Sequence, residues 1–311
     1  MHIRRGTQED IPAIINLLRL SLGESLIPKS EALWKWKHVE NPFGPSPILV
    51  AEDGGQLIGI RAFLKWEYIY QGKAISACRA VDTAVHPDFQ GKGIFTSLTL
   101  QLIEEVKSEG IELIFNTPNT KSTPGYLKMG WEKWGNLPIQ LHWNWASLFS
   151  KNQDAFDSDW DSIPPLIEKL ESRPSESSSI KTNLLPGYIF WRYRDCPLFT
   201  YHFISDGENY LLIYRIKQNS WGKELRICDF FTVEPKRKDI LKKAQKELKA
   251  ALGSSEARWV SASGLSRDED LTLISSPNLP IGPLVTLREL GKEINPSSLP
   301  WGWSLGDLEL F

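Results

Sequence analysis

VDTAVHPDFQGKGIF, residues Val81–Phe95, is the stretch on which the reading of this chain turns. An apolar strand runs to Val85, and Pro87, which has no N–H to give to a ladder, ends it. Gln90, Gly91, Lys92 and Gly93 follow, and then a helix starts. Residues without a Cβ let consecutive backbone N–H groups turn toward one point. The first turn of a helix adds partial positive charge there. Strand, glycine turn and helix start together predict a cradle for a pyrophosphate, with Lys92 as a charge at its rim. Taken alone, the same pattern is also an ordinary strand-to-helix turn.

Working outward, Ile75–Val85, Leu57–Tyr70 and Ile48–Glu52 read as strands, separated by QGK and DGGQ, the turn chemistry of antiparallel hairpins. Before them Asp10-Ile11-Pro12 opens a helix carrying Ile11, Ile14, Ile15 and Leu18 as its apolar stripe. After the glycine turn, Phe95–Ser108 has the apolar spacing of a helix and Ile111–Asn116 that of a strand.

Residues 150–186 change character toward Ser, Asp and Pro, as in RPSESSS, and read in part as linker. Beyond them the landmarks of the first half recur in order. DSIPPLIEKL at 161–170 follows EDIPAIINLL at 9–18, FWRYRDCP follows WKWKHVENP, and Val233-Glu234-Pro235 follows Val85-His86-Pro87. The offsets are 152 residues for Ile11 and Ile163, 155 for Trp36 and Trp191, and 148 for Val85 and Val233. Near-constant spacing predicts two copies of one α/β unit; two unrelated domains sharing turn patterns are the alternative. The expected partition is 1–149, a linker with the second unit's first helix at 150–186, and 187–311. The second copy has KRKDIL at 236–241 where the first has DFQGKGIF. With no glycine there, it is expected to lack the cradle and to serve structure or acceptor binding.

Gln90-Gly91-Lys92-Gly93-Ile94-Phe95 resembles the Q/R-x-x-G-x-G/A motif of the GNAT acetyltransferases, with Phe95 where that family has Gly or Ala. Asn119, Ser122, Tyr126 and Gly130-Trp131 resemble the family's second pattern, N-x-x-A/S-x-x-x-Y-x-x-x-G-F, with Trp131 in place of Phe and Pro124-Gly125 ahead of the tyrosine. The two motifs span about 50 residues in the family's order and spacing. The resemblance implies two GNAT-like α/β units, each a mixed, mostly antiparallel twisted sheet flanked by helices. The tandem arrangement is similar to that of the enhanced-intracellular-survival group.

It also implies an acetyl-CoA-dependent N-acetyltransferase acting on a primary amine of a small molecule, sugar or peptide. The backbone of Thr83, Ala84 and Val85 would hold the pantetheine arm. The N–H groups of Gln90, Gly91, Lys92, Gly93, Ile94 and Phe95 would hold the pyrophosphate, with the Thr96 hydroxyl nearby. Asn119 would approach the pantetheine from the other side, and Tyr126 would protonate the departing thiolate. An amine with a pKa of about 10.4 must lose a proton before it attacks. Asp82, a carboxylate inside an apolar strand, is either a base with a raised pKa or the ion-pair partner of Arg79. Glu67 is a weaker candidate for the base.

Composition narrows the alternatives. A net charge of −2 and a pI near 6.3 argue against a nucleic-acid binder. They also argue against a tRNA-dependent aminoacyl transferase; a non-catalytic acyl-CoA sensor remains the other reading. Three cysteines without metal-ligand spacing and five scattered histidines predict no metal site and fit a reduced, cytoplasmic setting. No secretory h-region or membrane-length apolar run is seen; homo-oligomerisation stays open. The C-terminal WGWSLGDLELF is apolar enough to dock. It either closes the second copy's core or brings its terminal carboxylate to the acceptor as a base, the arrangement to which the resemblance points.

Overall fold

The computed structural model describes residues 1–23, 27–145, 158–173, 178–234, 237–265, 274, 276–291 and 298–308. The first half gives β1 (His2–Arg5), α1 (Ile11–Leu22), α2 (Glu31–His38), β2 (Ile48–Asp53), β3 (Gln56–Tyr70), β4 (Lys73–Val85), α3 (Ile94–Ser108), β5 (Leu113–Asn116), α4 (Thr123–Lys128), β6 (Glu132–Asn136) and β7 (Ile139–Trp143). The second gives α5 (Pro164–Glu171), β8 (Lys181–Thr182), β9 (His202–Ser205), β10 (Tyr210–Asn219), β11 (Gly222–Thr232), α6 (Lys238–Ser254), β12 (Ala257–Ser263), β13 (Asn278–Leu279), β14 (Leu284–Glu289) and α7 (Leu305–Leu308). The architecture is the expected α/β one: two mixed, mostly antiparallel sheets flanked by helices.

One sheet runs β1-β2-β3-β4-β5-β14-β6, with β8 added on β3, and the other runs β9-β10-β11-β12-β7-β13. The orders correspond. A long antiparallel hairpin, β3–β4 or β10–β11, is followed by a parallel neighbour, β5 or β12. In each sheet the next strand comes from the other half: β14 pairs with β5, and β7 pairs with β12. The sheets therefore do not follow the expected partition at 149/150, because Ile139–Trp143 lies in the second sheet and Leu284–Glu289 in the first. Nothing in the local sequence of a strand marks which sheet it will join.

The halves also meet through the pair that the repeat singled out. Trp36 and Trp191 stack with ring centroids 5.1 Å apart. Trp36 Nε1 donates to the Trp191 carbonyl at 2.6 Å, and Trp191 Nε1 donates to the Trp36 carbonyl at 2.8 Å. Such reciprocity is the mark of a two-fold contact. Around it one continuous apolar core takes in Trp66, Phe115, Tyr188, Leu211, Ile213, Trp301 and Trp303.

Helix α3 covers one face of the first sheet through Ile94, Leu98 and Leu102, and α1 covers the other through Ile11, Ile14 and Leu18. Gly59 on β3 is what lets α3 lie close: a Cβ there would stand 2.7 Å from Ile94 Cγ2 and 3.0 Å from Leu98 Cδ1. Helix α6 covers the second sheet through Leu248 and Leu252.

Candidate active site

Strands β4 and β5 pair in parallel only at Ala77↔Leu113, Cys78↔Ile114 and Arg79↔Phe115. Beyond Arg79, β4 continues to Val85 without β5 beside it, and the opening is a cleft of about 890 Å³. That is within the usual range for a small-molecule or cofactor site. Arg79 to Val85, Phe89 to Gly91, Gly93 to Thr96, Asn116 to Asn119 and Tyr126 line it, closed on the α1–α2 side by Ser21, Ile27 and Lys37.

The glycine turn has the geometry an anion needs. Gly91 and Gly93 have φ of 76° and 77°, and nothing stands within 4 Å of where a Cβ would be on either. Gly93 is the N-cap of α3. That helix carries no acidic residue in its first turn, so its first N–H groups face the cleft without a competing carboxylate. The residues present therefore fit a pyrophosphate. Lys92 lies over the Phe89 ring, 4.5 Å from its centroid, and is not among the cleft-lining side chains. The Val85 carbonyl is already taken, accepting from Ser21 Oγ at 3.0 Å and Gln90 Nε2 at 3.3 Å. Asn119 lines the cleft, but its Oδ1 caps the turn before α4, accepting from Lys121 N and Ser122 N.

Phe95, the departure from the glycine motif, is accommodated by the second departure. Its ring packs edge-on to Tyr126, centroids 5.7 Å apart. A Cβ on Gly125 would lie only 3.2 Å from Phe95 Cε1. The bulk on α3 is thus matched by the missing side chain on α4.

Tyr126 is buried, wedged between Phe95 and Trp131. Its phenol oxygen accepts from Arg61 Nη1 at 2.9 Å. Arg61 was not singled out from the sequence. It is wholly buried, its guanidinium lies within 6 Å of the Phe63, Phe95 and Tyr126 ring centroids, and its Nε and Nη2 have no partner among the described residues. Charges buried this way without a carboxylate are rare and call for a reason.

Asp82 is the extra residue of a β-bulge at the register shift between Arg61 and Ala62, with φ of 39°. Its partner is not Arg79. Lys37 Nζ lies 2.7 Å and His38 Nε2 2.9 Å from Asp82 Oδ2. Burial alone would raise this carboxyl, but the Lys37 ammonium and the His38 N–H outweigh it and hold it far below the carboxylate range. Of the two roles foreseen, the ion pair is the one present, with Lys37 and His38 in place of Arg79, and the carboxyl pKa is lowered where a base would have needed it raised. Burial holds the His38 ring neutral, donating to Asp82 and accepting at Nδ1 from Ser46 Oγ at 2.9 Å. Glu67 lies outside the cleft lining and accepts from Asn183 Nδ2 at 2.6 Å.

Arg79 instead sits where the strands part. It donates to Thr117 Oγ1 across the opening and to the carbonyls of Asp307 at 2.8 Å and Leu308 at 2.5 Å. Burial lowers its pKa to about 10, leaving it charged at neutral pH. The C-terminal segment is thus docked, with Trp301, Trp303, Leu305 and Leu308 buried. Residues 309–311, on which the terminal-carboxylate expectation rests, lie outside the described residues. In the second sheet, parallel pairing of β11 with β12 ends at Arg226↔Ser261, and α7 packs on β11 beyond it. The first turn of α6 carries Asp239 where an anion site would need none.

Among the described residues no group of three potential metal ligands occurs, and no helix is long and apolar enough to cross a membrane.

Residues 2–134 match the family model of the acetyltransferase (GNAT) domain. No curated protein sequence matches the chain significantly. Among solved structures, a GCN5-related N-acetyltransferase from Anabaena variabilis superposes with a TM-score of 0.64 at 16% identity, covering 93% of this chain and 73% of its own. Eis1 from Mycobacterium abscessus gives 0.60 at 14%, covering 93% and 74%. N-myristoyltransferase from Saccharomyces cerevisiae gives 0.53 at 10%, covering 92% and 79%. At these identities the likeness is one of fold, and it extends through both halves.

Proposed function

Residues 2–134 of this chain match the GNAT acetyltransferase domain model, and from that premise we propose that the protein transfers an acetyl group from acetyl-CoA to a primary amine by direct attack. The observation that carries the reading is the continuity of one cleft from the Gly91–Gly93 cradle, along the unpaired edge of β4, to Tyr126. Bound acetyl-CoA would supply an activated acyl group on a thiol leaving group. The N–H groups of the α3 start hold the pyrophosphate, and free backbone groups of Val81–Ala84 align the pantetheine. The amine nitrogen attacks the thioester carbon, gains the acetyl group and gives up its proton to water, from which the Tyr126 phenol is later restored; the C–S bond breaks, and the thiolate leaves and takes a proton. Tyr126 gives that proton. Because the phenol oxygen accepts from Arg61, its own O–H is turned away from Arg61 and is free for the leaving group.

Thiol release from acetyl-CoA, followed over a library of amines, tests the reading, since a protein that only senses acyl-CoA binds without releasing thiol. Tyr126→Phe is expected to slow turnover on the order of 100-fold with coenzyme affinity nearly unchanged. A rate within about twofold of the parent removes Tyr126 from the role of acid.

A further inference from the structure

The charge lining the cleft is one-sided. Lys29, Lys37, Arg79 and Lys121 stand against one carboxylate among the described residues, Asp82, in a chain whose formal net charge is −2. Lys121 follows the turn capped by Asn119, on the α4 side. The other three form a separate group. Lys29 and Lys37 also line one smaller hollow with Asp82, and Lys29 and Arg79 each depress the Lys37 ammonium, beyond the larger effect of its burial. Asp82 is the ion-pair partner of Lys37 and also acts on Arg79 through space, and His38 is neutral. Arg79 spends its N–H groups on carbonyls and a hydroxyl and makes no ion pair among the described residues, with Asp82 and Asp307 acting on it only through space. The Lys29 backbone carbonyl accepts from Arg19, but its ammonium has no hydrogen-bond or ion-pair partner among the described residues. Among the described residues, four cations and one carboxylate line the cleft, an excess of positive charge.

Lys29 lies beside Lys37, His38 and Asp82, and Arg79 is not at the phosphate cradle. Arg79 precedes Val85 by six residues, about 20 Å of extended strand; the cradle begins only beyond Val85. Like charges gathered in a confined, partly dry space repel, and an anion entering the cleft relieves that repulsion.

We propose that the acceptor is an amine that also carries an anionic group, a carboxylate or a phosphate, received by Lys29 together with Arg79 and the Lys37–Asp82 pair. The inference rests on the acyl-transfer reading and deepens it. In this site Lys29 sets specificity, and Asp82 keeps Lys37 in position rather than attracting a polyamine.

Matched acceptors test it: phenylalanine against 2-phenylethylamine, lysine against 1,5-diaminopentane, and phosphoethanolamine against ethanolamine. Thiol release is measured for each, and calorimetry on the coenzyme complex compares N-acetylphenylalanine with N-acetyl-2-phenylethylamine. The anionic member of at least one pair is expected to show a KM or Kd about tenfold lower or more. The carboxylate and phosphate pairs tell the two anions apart. Lys29→Glu should erase that preference while coenzyme affinity holds, and Lys29→Gln should halve the effect on a logarithmic scale. Equal response within every pair, including no response, overturns the proposal, as does a preference for the diamine or a loss of coenzyme affinity in Lys29→Glu. Anion-selective calorimetry with no thiol released by any amine would instead sink the transferase reading and leave the anion site standing.

Discussion

Replacing Arg61 with Met should make this protein more stable and less active, and the two signs together test what the buried guanidinium is for. Arg61 Nε and Nη2 are buried without partners, and each buried unsatisfied donor costs about 1–3 kcal/mol. Against that relief stand one hydrogen bond to the Tyr126 hydroxyl, about 1 kcal/mol net, and cation–π contact with three rings, about 1–2 kcal/mol in total. Met fills the same volume, and its sulfur meets the same rings favourably. The expected outcome is a gain of about 1–3 kcal/mol in unfolding free energy, in line with other buried charges replaced by apolar groups. Turnover should fall roughly 10–100-fold, because nothing then turns the Tyr126 O–H toward the leaving thiol. Denaturant unfolding measures the first, and kcat at saturating coenzyme the second. In a Tyr126→Phe background the same substitution should leave kcat unchanged, since Arg61 acts through that hydroxyl. A loss of more than about 2 kcal/mol, or equal effects on kcat in both backgrounds, would refute the argument and make Arg61 a structural residue.

Calorimetry should find one acetyl-CoA per chain, with Gly93→Asp abolishing binding by placing a carboxylate and a Cβ in the cradle; a stoichiometry of two contradicts the loss of the loop in the second half. His38 is buried and held neutral, with its pKa below the unfolded value of about 6.5. Its contribution to stability is therefore full above about pH 6.5 and is lost as pH falls below it. The thermal midpoint should drop between about pH 6.5 and 5, and His38→Gln should flatten that slope; an unchanged slope assigns the acid sensitivity elsewhere. Deleting residues 309–311 decides between the two readings of the terminus: turnover that collapses while thermal midpoint and coenzyme affinity hold supports the terminal carboxylate as base, and a fall in the midpoint makes the terminus structural.

The sequence reading reached the β2–β3–β4 meander, α3 and the cradle because each is written locally, in hairpin turns, period-3.6 stripes and glycines. It reached Asp82 by asking why a charge stands in an apolar strand, yet GIRAFL poses the same question at Arg61 and the signal went unused. Nearness in sequence offers Arg79 as one candidate partner for Asp82, and the fold does not use it. On a strand, three residues apart puts the two side chains on opposite faces, and only the fold shows that α2 lays Lys37 and His38 over the bulge. The strand exchange was out of reach for a different reason. β7 and β14 have the same local pattern as any other short strand, and which sheet accepts them is settled by edges formed from residues more than a hundred positions away.

The exchange and the docked terminus together explain why two halves are needed for one cleft. In the first sheet, the space beyond the last β4–β5 pair is open. In the second, the corresponding space beyond the last β11–β12 pair has α7 packed on β11. Arg192, buried in the second half, donates to the Gly306 carbonyl at 3.1 and 2.8 Å, and Arg79 from the first half takes the carbonyls of Asp307 and Leu308. Cations at a helix C-terminus satisfy carbonyls that the helix leaves free, so α7 is clamped from both sides. The same Arg79 is the residue at which β4 and β5 part. Its orientation, and with it the base of the cleft, is fixed by a segment that belongs in sequence to the other half. A first half expressed alone would lack β14 beside β5 and the carbonyls that hold Arg79, leaving a buried guanidinium bonded to Thr117 alone among these partners. The second half, although it has no cradle of its own, is in this way part of the construction of the first half's site.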